Sequence, residues 1–372
     1  MYQVPVQTEH AEPVGTPSPC RILALQGGGL RGIVSAAALC RLEELGQRAY
    51  GESYQLSDSY DLVGGTSVGA VLAVAIALGL PTRQMVGFFL DQAPKGFRRR
   101  RFAVPGLHHM FDASELRRNF ACATNGHRLL DRNLKTGLCV VVKSLSCGTP
   151  LMLSNATTGD GVVASAQVLR RDIALDDLLR ATTAAPGLFD PVCLPVGPSR
   201  TGAPNAGQAL CVDGGLSPFN DPSYLLTRLA THTELCPRWA RRTVDVTAIG
   251  TGQGSPYKAA SKLLRRPAAS LAIDALQSMV ADGVAQTEAL MTQMQGCSVS
   301  YRKYDLDLGT QSLESSGLRL TRSNLRQMRD FTNPKGKALM FEVAQHHMER
   351  LITQPAALKT TADSGQPSTK LV

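Results

Sequence analysis

The fold is decided by two stretches of sequence, RILALQGGGLRG at residues 21–32 and YDLVGGTSVGA at residues 60–70. In each stretch, an apolar run typical of a buried strand stops at glycines. The residues that follow, 33–50 and 67–78, carry apolar side chains at helical spacing. This order of strand, helix, strand and helix predicts an α/β fold with a mainly parallel sheet. The second helix has no polar face, so we expect it to be buried in the middle of the fold.

The rest of the chain divides into four parts. Residues 1–19 contain four prolines and predict an irregular lead-in, whereas residues 355–372 are polar and aperiodic and predict a disordered tail. Residues 20–255 form the predicted core, and residues 256–354 are expected to be mostly helical, packed on that core and available for regulation. Further strands are predicted at 138–143, 151–153, 209–212 and 244–249, and further helices at 176–185, 267–294, 321–331 and 335–353.

The composition narrows the classes of function. The 372 residues include 39 Lys and Arg against 30 Asp and Glu, which gives a net charge of +9. One Trp and 5% aromatic residues argue against a protein that stacks on the bases of a nucleic acid polymer. Nine cysteines without a CxxC pair are typical of a reducing compartment. No signal peptide is visible, and the apolar stretch Val68–Leu80 is shorter than the roughly 20 residues that span a bilayer, so we expect a soluble, cytoplasmic protein.

One basic cluster stands out, in which four arginines are flanked by two aromatic rings. Arginines beside apolar rings suit a lipid headgroup surface, where each basic residue adds about 1 kcal/mol of binding. A solvated loop explains the same residues, so both interpretations stay open. The candidate membrane contact consists of Phe97, Arg98, Arg99, Arg100, Arg101 and Phe102.

The first stretch ends in a glycine-rich turn, Gly27–Gly32, with the spacing G-x-G-x-x-G. A dinucleotide-binding turn has this spacing, but it also requires an acidic residue about 20 positions on, at the end of the next strand. Here Glu43 and Glu44 lie within the following helix. Such a turn can instead leave backbone N–H groups available to an anion, including a developing oxyanion. A non-enzymatic nucleotide-binding module therefore remains an alternative function.

The second stretch contains G-x-S-x-G between a strand and a helix, which is the context of a nucleophile elbow. The candidate nucleophile is Ser67, and the flanking positions of the elbow are Gly65, Thr66, Val68 and Gly69. The sharp turn between the strand and the helix would expose the serine beside the N-terminus of the helix.

A nucleophilic serine needs a base. A Ser–His–Asp esterase could use His232 or His346, but no histidine after Ser67 lies on a short loop after a strand, where a triad histidine is expected. Asp213, in contrast, follows a predicted strand and precedes Gly214 and Gly215. Its carboxylate could accept the serine proton directly if it lies within hydrogen-bond reach.

In order and context, three motifs resemble those of the patatin-like phospholipases, at Gly27–Gly32, Gly65–Gly69 and Asp213–Gly215. The stretches Ala181–Pro191 and Ile249–Gly252 resemble that family too, so the likeness covers about residues 21–255. Gln26 departs from the plant-like members, which often have Asp at this non-catalytic position. The resemblance implies a three-layer α/β/α fold with a mainly parallel central sheet.

The resemblance also implies roles for these residues. Ser67 would be the nucleophile and Asp213 the proton acceptor of a Ser–Asp dyad. The expected reaction is phospholipase A-type hydrolysis of a membrane glycerophospholipid ester through an acyl-serine, with no metal and no cofactor. The oxyanion hole would be formed by the turn of Gly27, Gly28, Gly29, Leu30, Arg31 and Gly32, in which Arg31 supports the backbone.

Two further segments, Ala93–Phe97 and Asp330–Pro334, resemble bacterial patatin-like effectors. Some of those effectors are activated by cyclic oligonucleotides made during phage infection and then degrade the membrane of their own cell. The resemblance implies a cyclic dinucleotide as a candidate activator, peripheral action on the inner membrane face, and a candidate homo-oligomer. The basic residues expected to bind the activator are Lys258, Lys262, Arg265 and Arg266.

Overall fold

The computed structural model describes residues 18–98, 100, 108–197, 207–252, 264, 267–296, 298–309, 320–330, 332–333 and 335–352. The strands are β1 (Cys20–Leu25), β2 (Leu62–Thr66), β3 (Gly137–Ser144), β4 (Pro150–Ser154), β5 (Gly161–Val163), β6 (Ala166–Leu169), β7 (Val192–Pro195), β8 (Gln208–Asp213), β9 (Val244–Ile249) and β10 (Val299–Tyr304). The helices are α1 (Gly32–Tyr50), α2 (Val68–Ala77), α3 (Thr82–Gly87), α4 (Ala93–Gly96), α5 (Ser114–Thr124), α6 (Leu175–Thr182), α7 (Ser223–Ala230), α8 (Ala268–Met294), α9 (Arg322–Arg329) and α10 (Lys337–Leu351). The predicted lead-in up to residue 17 and the predicted tail at 355–372 lie outside the described residues.

The strands form one mixed sheet whose main path is β10-β9-β1-β2-β3-β4-β6-β5, while β8 pairs with β3 and β7 beside that path. The five strands from β10 to β3 pair in parallel throughout. Antiparallel pairs join β3 to β4 and to β8. The predicted three-layer α/β/α fold with a mainly parallel central sheet is therefore confirmed.

Alternate residues of β1 enter two hydrophobic cores, one on each face of the sheet. Leu23 and Leu25 pack with the side chains of α1 and α2 on one face. Ile22 and Ala24 pack with those of α7 on the other face. Most of α2 is buried, as its lack of a polar face predicts.

Parallel pairing brings the two glycine-rich turns to the same edge of the sheet. Leu25, the last residue of β1, pairs with Gly65 in β2, so the turns that follow these strands lie side by side. β2 extends to Thr66, further than the sequence predicts, because its two glycines remain extended and pair with Cys139 and Val140 of β3.

β2 and β8 meet end to end on one edge of β3. Thr66, the last residue of β2, pairs with Val141, and Asp213, the last residue of β8, pairs with the adjacent Val142. Because β2 runs parallel to β3 and β8 runs antiparallel to it, their carboxyl ends face each other. This topology places Ser67 directly beside Asp213.

The residues after the predicted boundary at 255 complete the sheet and one helical layer. β10 adds a parallel edge strand next to β9. α10 packs along α1 and contributes Met340, Val343 and Met348 to the same core. The longest helix, α8, has 27 residues. Within the described ranges, no helix combines the length and the apolar character needed to cross a bilayer.

The packing of α7 on β2 gives a prediction about stability. Leu226 is fully buried and fills the space left by the missing side chain of Gly64. We expect Leu226→Ala to lower the free energy of unfolding by about 2–5 kcal/mol, because it removes buried apolar contacts and leaves a cavity. Urea unfolding would measure this loss. The control is Leu145→Ala, at a leucine that is 54% exposed, which should change the value by less than about 0.5 kcal/mol. Equal effects of the two substitutions would contradict the packing described.

Candidate active site

Ser67 lies at the sharp turn between β2 and α2 with a strained backbone. Its φ and ψ are 53° and −125°, which is rare for a residue other than glycine. The turn requires close backbone approach on both sides. A Cβ at Gly65 would lie 2.2 Å from the carbonyl carbon of Gly69, and a Cβ at Gly69 would lie 2.1 Å from the carbonyl oxygen of Leu25. The two glycines therefore permit the conformation that presents Ser67.

The backbone of Ser67 is held by a threonine that the motifs do not include. The N–H of Ser67 donates to the Oγ1 of Thr182 over 2.9 Å. The hydroxyl of Thr182 in turn donates to the carbonyl oxygen of Val141 in β3 over 2.6 Å. Thr182 thus links the end of α6, the serine and the central sheet.

Asp213 lies within hydrogen-bond distance of the serine hydroxyl. Ser67 Oγ donates to Asp213 Oδ2 over 2.7 Å, and the N–H of Gly215 donates to the other carboxylate oxygen over 2.8 Å. The backbone N–H of Asp213 donates to the carbonyl oxygen of Ala184 over 3.0 Å. Burial raises the pKa of Asp213 to about 6, and the two hydrogen bonds to its carboxylate oppose this rise. At neutral pH the carboxylate is therefore mostly ionised and able to accept a proton.

The turn Gly27–Gly32 lies next to Ser67 and is held by side chains from elsewhere in the chain. Gly27 donates its N–H to the carbonyl oxygen of Asn220 over 3.0 Å. The side chains of Asn220 and Thr251 donate to the carbonyl oxygen of Gly27 over 3.3 and 3.2 Å. No acceptor among the described residues pairs with the N–H groups of Gly28 and Gly29. These two donors are available to an anion beside Ser67.

Arg31, predicted to support this turn, is half-buried, and charged groups of the C-terminal part act on it. Burial lowers the pKa of its guanidinium, and the carboxylates of Asp305 and Asp330 oppose that effect. Lys337 adds a positive charge nearby, and its Nζ donates to the carbonyl oxygen of Asp330 over 3.1 Å. Asp330, which acts electrostatically on Arg31, is the first residue of the second segment that resembles the bacterial effectors.

An apolar pocket opens beside the serine and the aspartate. Ser67, Asp213 and Gly29 contribute to its wall, so the serine hydroxyl and the turn face the same space. The rest of the wall is apolar and rich in aromatic rings, and its members include Leu30, Val71, Phe88, Phe89, Phe97, Leu116, Phe120, Leu188 and Phe189. The pocket has the chemistry of a site for a hydrocarbon chain.

The candidate membrane contact is only partly described. Phe97 packs inward, with its ring centroid 5.2 Å from that of Phe111 and 5.5 Å from that of Phe189, in the wall of the apolar pocket. Arg98 is exposed, and Arg100 forms an ion pair of 2.5 Å with Asp190. Arg99, Arg101 and Phe102 lie outside the described residues, as do the proposed activator residues Lys258, Lys262, Arg265 and Arg266.

Among the described residues, Ser67 makes its side-chain hydrogen bond with Asp213 and not with a histidine. His127 pairs with Asp131 at 3.0 Å, and the Nδ1 of His232 accepts from the N–H of Leu235 at 3.3 Å. His346 is exposed on α10. Within the described part of the chain, no group of three His, Cys, Asp or Glu side chains could hold a metal ion. The group beside Ser67 is therefore a carboxylate.

Sequence reasoning missed the residues that hold the site from outside the three motifs. Thr182 and Thr251 lie in the stretches Ala181–Pro191 and Ile249–Gly252. The sequence shows that these stretches resemble the family, but it does not indicate what the two threonines do. Asn220 carried no signal beyond its place shortly after Asp213. Phe120 lies on α5, and Phe88 and Phe89 lie between α3 and α4. An apolar ring in the sequence does not show whether it lines a pocket or fills a core.

Comparisons with known proteins find a family profile and several similar proteins. A family profile described as "Patatin-like phospholipase" matches residues 23–226. A cGAMP-activated phospholipase of Vibrio cholerae is 28% identical over 220 residues, which cover 55% of this chain and 56% of the relative. A cUMP-AMP-activated phospholipase of Escherichia coli is 36% identical over 81 residues, or 22% of this chain and 23% of the relative. A protein of Arabidopsis thaliana named "Probable inactive patatin-like protein 9" is 26% identical over 299 residues, or 77% of this chain and 73% of the relative.

The chain spans about half the length of the cGAMP-activated relatives that it matches. The family profile, in contrast, covers more than half of this chain and includes both Ser67 and Asp213. The resemblance predicted from the three motifs is confirmed, and the chain belongs to the patatin-like phospholipase family.

Proposed function

We propose that this protein is a lipid acyl hydrolase that cleaves ester bonds of membrane glycerophospholipids in a phospholipase A-type reaction. The observation that carries the proposal is the hydrogen bond of 2.7 Å from Ser67 Oγ to Asp213 Oδ2. A hydroxyl that already donates to an ionised carboxylate can lose its proton as it attacks, so the pair can act as nucleophile and base.

In the proposed reaction, Ser67 Oγ attacks the ester carbonyl carbon and its proton passes to Asp213. The carbonyl oxygen becomes negatively charged and is stabilised by the N–H groups of Gly28 and Gly29. The C–O bond to the glycerol oxygen then breaks, and that oxygen takes the proton from Asp213 as the lysophospholipid leaves. Water next attacks the acyl-serine and passes its proton to Asp213. The fatty acid leaves as the proton returns to Ser67.

The apolar pocket supports a lipid rather than a small polar ester as substrate. Its wall consists of leucine, valine and phenylalanine side chains and reaches the serine hydroxyl and Gly29. Burial of the apolar surface of a hydrocarbon chain in this pocket would contribute binding free energy. The bound chain would hold its ester carbonyl beside Ser67. The same wall includes the rings of Phe97 and Phe189, which both pack against Phe111 outside it.

The alternative functions receive less support. The described histidines have other partners or lie on other surfaces, which disfavours a Ser–His–Asp esterase. A nucleotide-binding module would use the Gly27–Gly32 turn, yet this turn faces the serine and the apolar pocket. A flat, polar nucleotide is a poor match for that pocket.

We further propose that the enzyme works peripherally on the inner face of the cytoplasmic membrane and is activated by a cyclic dinucleotide in anti-phage defence. The support for the activator is the activation stated in the names of the relatives from Vibrio cholerae and Escherichia coli. The support for membrane contact is the net charge of +9 and the exposed Arg98. The activator would be held by basic residues of the C-terminal part, among them Lys258 and Lys262.

The dyad gives the first test of this proposal. Ser67→Ala and Asp213→Asn should each lower fatty-acid release from phospholipid vesicles by at least about 10³-fold, because each removes one half of the reacting pair. Ser67→Ala should also abolish labelling by a fluorophosphonate probe. The matched controls are His232→Ala and His346→Ala, which should keep full activity. Activity that survives in Ser67→Ala, or that disappears in either histidine variant, would reject the dyad.

The raised pKa of Asp213 gives a pH profile. Only the ionised carboxylate can accept the serine proton, so kcat/KM should fall as the pH drops through about 6. Well below this pH, kcat/KM should fall about tenfold per pH unit, because a single proton on the Asp213 carboxylate prevents it from acting as the base. Near-ultraviolet circular dichroism at each pH would control for unfolding. A rate that is constant from about pH 5 to about pH 7 would contradict Asp213 as the base.

Activation can be tested directly with a panel of cyclic di- and trinucleotides. Phospholipid hydrolysis by the wild-type chain should rise at least about tenfold with one member of the panel, which corresponds to roughly 1.4 kcal/mol of coupling. The linear dinucleotides of the same bases serve as controls. Equal activity with every compound and with none would reject the activator while leaving the dyad intact.

A further inference from the structure

A second, polar pocket lies beyond the apolar one, where α5 and α6 meet the start of β7. Its volume is about 460 Å³, large enough for a small polar ligand. Three arginines and three aspartates contribute to its wall, and these are Arg100, Arg117, Arg180, Asp112, Asp177 and Asp190. Nothing in the proposed reaction uses this pocket.

Arg180 is the unusual member of this wall. Its side chain is only 3% exposed, yet its Nε and Nη1 have no hydrogen-bond partner among the described residues. Burial lowers the pKa of its guanidinium, the positive charge of Arg117 lowers it further, and the carboxylate of Asp190 opposes both effects. A buried guanidinium is normally paired, because an uncompensated buried charge is costly. An anionic partner would remove that cost.

The aspartates of the pocket do not supply this partner. Asp190 is occupied by Arg100, with 2.5 Å between Nη2 and Oδ2, and by His109 at 3.5 Å. Asp112 accepts from the N–H of Ser114 over 3.0 Å, and Asp177 is exposed. In the described part of the chain, no ion pair joins any carboxylate to Arg117 or Arg180. Two arginines therefore contribute to this pocket without an ion pair to any described carboxylate.

The same segment of chain that carries Arg180 also holds the backbones of Ser67 and Asp213. Thr182, two residues further on, accepts the N–H of Ser67, and the carbonyl oxygen of Ala184 accepts the N–H of Asp213. The ring of Phe189 contributes to the wall of the apolar pocket, and its centroid lies 6.0 Å from Arg180 Cζ. A ligand on Arg180 is therefore one side chain away from a bound acyl chain.

We propose that this pocket binds a phosphate group through the guanidinium groups of Arg117 and Arg180. The planar fork of an arginine donates two parallel hydrogen bonds to phosphate oxygens, and two such forks match a single phosphate. The phosphate comes either from the headgroup of a phospholipid whose acyl chain fills the apolar pocket or from a soluble phosphate compound. Only the headgroup assignment rests on the proposed hydrolase activity, since binding itself does not require turnover.

The first experiment measures binding without catalysis. Inorganic phosphate at millimolar concentration, against chloride of equal ionic strength, should raise the Tm of the Ser67→Ala protein. The added substitution Arg117→Gln should abolish this rise. Arg180→Lys should weaken it, because a point charge cannot make the two parallel bonds of the fork. The matched control is Arg118→Gln, at a neighbour on α5 that is 73% exposed and pairs with Glu115, and it should keep the full rise.

The second experiment identifies the source of the phosphate in the otherwise wild-type chain. It measures kcat/KM for a diacyl phospholipid and for a diacylglycerol with the same acyl chains. The ratio of these two values is then compared between variants. If the site holds the headgroup, Arg117→Gln lowers this ratio about tenfold, as expected for one charged hydrogen-bond donor, while Arg118→Gln does not. If the ratio is unchanged while Arg117→Gln still loses phosphate binding, the site holds a soluble phosphate compound.

Two results would overturn the proposal. One is a Tm that phosphate does not raise in the Ser67→Ala protein. The other is a rise that persists undiminished in Arg117→Gln, or that is lost equally in Arg118→Gln, because the binding would then come from general surface charge. Arg117 is exposed, so its substitution should fold even if Arg180→Lys does not. Loss of hydrolysis in every variant would bear on the proposed function and would leave the binding result unaffected.

Discussion

The site depends on how one edge of β3 is shared between two strands. Thr66 ends β2 opposite Val141, and Asp213 ends β8 opposite Val142, so consecutive residues of one strand fix the positions of both Ser67 and Asp213. Backbone hydrogen bonds of a central strand are among the least deformable parts of a fold. The distance of 2.7 Å between Ser67 Oγ and Asp213 Oδ2 is therefore set by sheet register rather than by flexible loops.

The strained backbone of Ser67 is stable because its surroundings hold it from several directions. A residue in this region of φ and ψ costs about 1–3 kcal/mol, which the rest of the structure must offset. The Thr182 hydroxyl binds its N–H, and Gly69 lets α2 begin directly against Leu25. The helix that follows, α2, is nearly all apolar and mostly buried, so it anchors the turn in the core. Strain and burial together keep the hydroxyl pointed at the pocket.

Much of this arrangement could be predicted from the sequence. Each of the three motifs places glycines at the end of a predicted strand, and two of them add Ser67 or Asp213 there. Because parallel strands end at the same edge of a sheet, the motifs predict that these two side chains are neighbours. The supporting groups could not be predicted in the same way. Thr182 and Asn220 act through single hydrogen bonds over long sequence separations, and these leave no periodic pattern. Phe97 was predicted to face a membrane because charged residues follow it, whereas ring packing against Phe111 and Phe189 turns it inward.

The Gly27–Gly32 turn is held by residues far along the chain, and this limits where the chain can be cut or joined to that of a relative. The family profile ends at residue 226, but Thr251 binds the Gly27 carbonyl and Asp305 acts on Arg31 from well beyond that point. A segment that ends at residue 226 would keep the residues of all three motifs and lose side chains that hold the backbone of Gly27–Gly32. The length of chain needed to hold the turn is therefore greater than the length that the family profile matches. Chimeras between relatives should exchange the C-terminal strand and helix together with the motifs.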